Sequence, residues 1–145
     1  MTATNHALTG AAIATVIRQP YLVVPLAFAS HFFCDSLPHF DLDLKFGSKK
    51  MWRYISVETI TLLVTGTSLL LAGTQQTVWL LLLGAAFAMS PDIAWYVYGK
   101  AGRQGQIDGY NIFNRFHAKI QWSETKWGIV PEIFWAILMV SVILK

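Results

Sequence analysis

Cysteine and charged residues are both scarce in this sequence, and each shortage excludes a class of protein. The single cysteine, Cys34, rules out an internal disulfide framework. Only 13% of the residues are charged and 54% are hydrophobic, which is too apolar for an ordinary soluble domain of 145 residues. Residues 1–6 contain no lysine or arginine, so the first apolar segment lacks the basic start of a cleavable signal. We therefore expect one small integral membrane domain covering residues 1–145.

Five apolar segments follow one another along the chain, without an internal repeat. They cover residues 7–17, 20–34, 55–73, 77–98 and 127–144. A transmembrane helix needs about 20 apolar residues, so the third and fourth segments are long enough to cross and the fifth is a further candidate. The first two are either thin, tilted spans or a re-entrant pair. The expected fold class is all-α: a small polytopic membrane helical bundle of about five apolar helices.

The distribution of cations predicts the orientation of these helices. Nine of the eleven lysine and arginine residues fall in two loops, the first with Lys45, Lys49, Lys50 and Arg53 and the second with Lys100, Arg103, Arg115, Lys119 and Lys126. The turn at residues 74–76, between the third and fourth segments, has none. Because a hairpin of two spans joins the two loops, both lie on one side, and the positive-inside rule makes that side cytoplasmic. The expected location is a bacterial-type inner (plasma) membrane.

Residues 30–41 concentrate metal-ligand side chains at the end of an apolar segment, where ionisable groups are costly and usually functional. His31 and Asp35 are four residues apart, which on a helix places imidazole and carboxylate on one face, close enough to hold one ion. Pro38 should end that helix, because it lacks an N–H and restricts the preceding residue. His39 and Asp41 would then fold back toward the same pocket.

The predicted topology brings every histidine and every acidic residue to the cytoplasmic half of the protein, where one polar site would explain them. These residues are His6, His31, His39, His117, Asp35, Asp41, Asp43, Glu58, Asp92, Asp108, Glu124 and Glu132. Asp92 follows Ser90 and Pro91, which are expected to interrupt an apolar helix, so its carboxylate must face protein or water. Glu58 and Glu132 lie near helix starts, where interaction with the helix dipole is the simpler explanation.

Three short motifs resemble the hallmarks of a known family. They are Asn5-His6-Ala7-Leu8-Thr9-Gly10, Ser30-His31-x-x-x-Asp35-x-x-Pro38-His39 and Ser90-Pro91-Asp92-Ile93. Together they resemble the membrane-bound metal-dependent hydrolases, a family similar to the zinc-dependent phospholipase C superfamily. The resemblance implies that the metal ligands are His6, His31, Asp35 and Asp92, with His39 and His117 as further ligands. In that superfamily the Pro-Asp pair precedes the Ser-His-x-x-x-Asp helix, whereas here it follows.

Histidines and carboxylates together suit one or two zinc ions, with manganese or iron as alternatives. An open coordination position would lower the pKa of a bound water to about 7 and supply hydroxide at neutral pH. Asp35 would then be both ligand and catalytic residue, and Asp41 or Glu124 could serve as general base. The cations of the two basic loops would attract an anionic head group. The predicted function is hydrolysis of a phosphoester, either a lipid or a head group, at the cytoplasmic face.

Two other functions fit the same residues. A metal-binding or ion-handling membrane protein would use the ligands as an ion relay, although no histidine or acidic residue is expected deep in the other half. A structural or assembly factor would use the polar cluster only to hold helices together. Nucleic-acid binding is not expected, because the cations follow the membrane rule and no RNA-binding aromatic pattern accompanies them. The oligomeric state is left open.

Overall fold

The chain folds into helices, as predicted. The computed structural model describes residues 1–40, 47–73, 77–101 and 112–145 and, within them, every side chain except those of 94–101, 113, 114 and 118. The described helices are α1 (Ala3–Ile17), α2 (Pro20–Ser36), α3 (Lys49–Leu71), α4 (Val78–Ala101), α5 (Ile112–Ile120) and α6 (Ile129–Ile143), the last preceded by a 3₁₀ turn at Lys126–Gly128. Four of the five predicted apolar segments correspond to α1–α4, and the fifth corresponds to the 3₁₀ turn and α6.

Helix α1 is the centre of the fold, because it packs against α2, α3, α4 and α6. Most of its side chains are small and buried, which lets the neighbouring helices approach closely. The closest approach joins Gly10 of α1 to Gly84 of α4, where a Cβ on either glycine would meet the backbone carbonyl of the other. The apolar core around this crossing includes Leu8, Val23 and Ile143.

Two carboxylates from other helices cap the start of α1. Glu132 of α6 accepts hydrogen bonds from the backbone nitrogen and hydroxyl of Thr2 and from Asn5 Nδ2. Glu58 of α3 accepts hydrogen bonds from the backbone nitrogen and hydroxyl of Thr4, each at 3.3 Å. These bonds satisfy amides that have no partner within the helix and complement its dipole. Glu132 lies in the first turn of α6, as predicted, whereas α3 begins well before Glu58 and has no acidic residue in its first turn, so the prediction that Glu58 lies near a helix start is wrong. Both carboxylates complement the dipole of α1.

The two prolines near the predicted site behave differently. Helix α2 ends at Ser36, and Leu37 is extended with φ −80° and ψ 156°, the conformation that Pro38 favours in the residue before it. Pro91 lies inside α4, so the prediction that it interrupts this helix is wrong. Because Pro91 has no amide hydrogen, it cannot bond the carbonyl of Phe87, and the Ser90 hydroxyl donates to that carbonyl at 2.8 Å instead. The replaced hydrogen bond helps the helix to continue.

Helix length separates the predicted spans into two groups. Within the described residues, Lys49–Leu71 and Lys126–Ile143 are long and apolar enough to cross a membrane, by length and composition, and Val78–Ile93 forms a shorter apolar helix. Helices α1 and α2 have 15 and 17 residues. Along α3, Met51 is the one buried residue, and Leu69 packs against the core while most of the large apolar side chains of this helix are exposed.

Candidate metal centre

Asp35 lies at the centre of a buried cluster of histidines that come from three different helices. Its Oδ1 lies 3.0 Å from His6 Nε2 of α1, and its Oδ2 lies 3.2 Å from His31 Nε2 of α2 and 2.8 Å from His117 Nε2 of α5. None of the four side chains is more than 1% exposed. Three imidazole nitrogens, together with the Met1 ammonium at 2.5 Å from Oδ1, therefore surround one carboxylate in a place that water barely reaches.

The nitrogen and oxygen atoms of the cluster are spaced as metal ligands are. His31 Nε2 lies 3.1 Å from His117 Nε2 and 3.6 Å from Asp92 Oδ1. In a tetrahedral zinc site with bonds of about 2.0–2.1 Å, the ligand atoms are about 3.3 Å apart. In two groups, His6–His31–Asp35 and His31–Asp92–His117, all ligand atoms lie within 4.8 Å of one another. Each group could hold a metal ion.

The hydrogen bonding of His31 and His6 favours metal ligation. His31 Nδ1 lies 2.8 Å from the Ala88 carbonyl of α4. Because a carbonyl only accepts, Nδ1 carries the hydrogen, and Nε2 of the neutral ring directs its lone pair into the cluster, as in a metal-ligating histidine. His6 Nδ1 is buried without a hydrogen bond to any described residue, and His6 Nε2 faces Asp35 Oδ1 at 3.0 Å. Nε2 is therefore the His6 nitrogen placed to bind an ion together with Asp35.

Asp92 is the least buried member of the two ligand groups, with a side chain that is 40% exposed. On the buried side of the cluster, Gln121 Nε2 donates a hydrogen bond to Asp35 Oδ2 at 3.3 Å. Gln121 is not among the site residues predicted from the sequence. In the sequence, Gln121 could be recognised as a neighbour of His117 by their spacing of four residues. That spacing places two side chains on one face only in a helix, and α5 was not predicted to be helical.

Helix α5, which carries His117, lies where the sequence analysis placed a basic loop. In the sequence, the pattern that indicates this helix is the spacing of Ile112, Phe116 and Ile120, each four residues apart. In nine residues this pattern is too short to separate an amphipathic helix from a loop, and nearby cations favoured the loop. Tertiary contacts stabilise the helix, because the Phe116 and Phe32 rings lie 5.6 Å apart and His117 contacts Asp35.

His39 is buried but belongs to neither group of ligand atoms. Its Nδ1 donates to the Leu37 carbonyl at 2.8 Å, and its Nε2 lies 3.8 Å from Glu124 Oε1. Burial lowers the pKa of His39, but the Glu124 carboxylate and the Leu37 carbonyl favour the protonated ring, and the net result is a raised pKa. His39 and Glu124 therefore form a pair that holds a proton more firmly than a free histidine does.

The segment that carries His39 is fastened to the start of α6. The Thr125 backbone nitrogen donates to the His39 carbonyl at 3.0 Å, and the Phe40 backbone nitrogen donates to Glu132 Oε1 at 2.9 Å. Gly128 lies so close that a Cβ there would meet the His39 carbonyl group and the Phe40 nitrogen. Glu132 thus joins the start of α1, which carries His6, to the segment that follows α2.

Replacement of Glu132 by alanine should destabilise the protein by about 3 kcal/mol, because it leaves several donors of α1 and Phe40 unpaired in a buried place. Glu132→Gln keeps one acceptor oxygen and should cost less. Thermal unfolding of the detergent-purified variants measures both. Glu124→Ala, which removes a half-buried carboxylate with one ion-pair partner, is the control and should cost about 1 kcal/mol. Equal losses for the two alanine variants would contradict the capping role of Glu132.

The structure thus brings five of the six predicted ligands together: His6, His31, Asp35, Asp92 and His117. His39, the sixth, pairs with Glu124, one of the two predicted general bases. Asp41, the other predicted base, lies outside the described residues. No protein-family model, curated protein or solved structure matches this chain.

Proposed function

We propose that this protein is a membrane-embedded metal-dependent hydrolase that cleaves a phosphoester. The observation that supports it best is the Asp35 carboxylate with three imidazole Nε2 atoms within 3.2 Å, beside a solvent-exposed Asp92. Histidines and carboxylates suit zinc, and also manganese or iron. A solvent-facing side is what a catalytic metal site needs, because substrate must reach an open coordination position. The bound ion would supply Lewis-acid catalysis and a water of lowered pKa.

The residues around the cluster have separate roles in this proposal. His6, His31, Asp35, Asp92 and His117 would hold the ion or ions. The Ala88 carbonyl keeps the Nε2 lone pair of His31 directed into the site, and the Gln121 amide fixes the orientation of the Asp35 carboxylate. Asp41 or Glu124 would serve as general base, and Glu124 is paired with His39 Nε2.

The exposed residues of the protein support the proposed membrane setting and substrate class. Helix α3 and the segment Lys126–Ile143 are apolar and long enough to span, and their large side chains are mostly exposed. Arg115 and Lys119 lie on the same helix as His117 and are exposed. Cations beside a metal site favour an anionic substrate, and a phosphoester at headgroup depth meets both conditions.

Metal content and chelation test this proposal. Detergent-purified protein should carry about one or two equivalents of zinc, manganese or iron by elemental analysis, and should hydrolyse phospholipids or soluble phosphoesters until a chelator is added. His31→Ala should weaken metal binding more than about 100-fold, since loss of a mere supporting contact already costs 10–100-fold. His39→Ala, a buried histidine outside the cluster, is the matched control and should keep its metal.

Two results would contradict the proposal in different ways. A folded protein that binds no metal under any condition would leave the cluster as a polar contact between helices. A metal-loaded protein inert toward a broad panel of phosphoesters would favour the metal-handling alternative.

A further inference from the structure

Helix α5 has an apolar face that the described part of the chain does not cover. Ile112 is 87% exposed and Phe116 is 52% exposed, and they lie four residues apart on one side of the helix. Arg115 and Lys119 border this face and are also exposed, and α5 contains no acidic residue. An apolar stripe with cations along its edge is typical of a helix that lies in the surface of a membrane.

The same helix delivers a ligand to the metal cluster from its other side. At about 100° per residue, His117 projects roughly opposite to the midpoint of Arg115 and Lys119. His117 is 1% exposed and lies 2.8 Å from Asp35 Oδ2. One side of α5 therefore enters the site while the cations face outward.

The chain beyond α5 extends this surface. Trp122 and Trp127 are 76% and 81% exposed, and tryptophan prefers the headgroup level of a bilayer. Lys126 adds a third exposed cation to those of α5. The acidic residue of this stretch, Glu124, lies near His39 and so is partly neutralised. The surface is positive and apolar, which complements an anionic lipid leaflet.

Among the described residues, α5 packs mainly against α2, where the Phe116 ring lies 5.6 Å from Phe32 and His117 contacts Asp35. We propose that α5 lies in the surface of an anionic bilayer leaflet and that this docking holds His117 in the metal cluster. The second part of this inference rests on the proposed function. Because linkage is reciprocal, anionic lipid that favours docked α5 must then raise the affinity for the metal.

A depth measurement tests the docking without any metal. A nitroxide label on Ile112→Cys, in a Cys34→Ala background, would be compared in nanodiscs of phosphatidylcholine and in nanodiscs that also contain anionic phosphatidylglycerol. In the anionic discs the label should be more accessible to oxygen than to a water-soluble nickel reagent. R115Q/K119Q should weaken the docking about 25-fold, because each cation near an anionic surface contributes about fivefold. K49Q/K50Q, which removes two cations from the start of α3, is the matched control and should leave the label in place.

The outcomes separate this inference from the proposed function. A label that stays in water in both kinds of disc, or that responds equally to the two cation pairs, overturns the docking. Zinc affinity in the same discs should be about tenfold higher with anionic lipid, and R115Q/K119Q should abolish the difference. An affinity that does not depend on lipid charge overturns the link to His117. Loss of zinc binding in every disc contradicts the proposed function, and the label then decides the docking alone.

Discussion

Asp35→Asn is expected to lower metal affinity more than about 100-fold and to abolish phosphoester hydrolysis. The substitution keeps the size of the side chain but removes a negative charge that three imidazoles approach. Loss of the Asp35 carboxylate removes a ligand from the group His6–His31–Asp35 and a contact of His31 and His117 in the second group, so metal binding should weaken. Elemental analysis and a competition titration with a chromophoric chelator measure the loss.

Glu132→Gln provides a matched control for this experiment. It makes the same loss of charge at another buried carboxylate, one that caps α1 and does not touch the cluster. It should keep most of its metal and its activity. If Asp35→Asn kept the metal content and activity of the unmodified protein, the histidines and Asp35 would be a structural polar cluster, and the hydrolase proposal would fail.

Gly10→Ala and Gly84→Ala should each destabilise the protein by about 1–3 kcal/mol and weaken metal binding. A Cβ at either position would meet the backbone of the opposite helix, so α1 and α4 must move apart. His6 lies one turn before Gly10, and Ala88, whose carbonyl orients His31, lies one turn after Gly84. The separation of the two helices therefore shifts ligands on both sides of Asp35. Thermal unfolding and zinc titration of each variant measure the two effects.

Gly66→Ala is the control for the glycine crossing. It also lies inside a helix, but a Cβ there would meet no described residue within 4 Å, and the change should be neutral or stabilise by up to about 1 kcal/mol. The double variant Gly10→Ala/Gly84→Ala should lose less than the sum of the single losses, because both substitutions open the same contact. Single variants as stable as Gly66→Ala would show that α1 and α4 do not meet through these glycines.

The sequence alone determined the features that depend on short-range rules. Apolar segments predicted a helical protein, and Pro38 predicted the end of α2, which the structure places at Ser36. The spacing of His31 and Asp35 placed both side chains on one face of that helix. The order of the segments also predicted that His6, Asp92 and His117 would meet there, since successive helices return to the same end of the bundle. Each of these features is encoded by a few neighbouring residues or by the alternation of helix direction.

Only the tertiary structure decided which polar residues share a contact. It placed His39 beside Glu124 and made Gln121 a partner of Asp35. It also assigned Glu132 to the start of α1 and let α4 continue through Pro91. These outcomes depend on packing between segments far apart in the chain, above all on how closely α1 approaches its neighbours. Local propensity and spacing do not contain that information, because a buried polar group takes whichever partner the packed helices bring within hydrogen-bond distance.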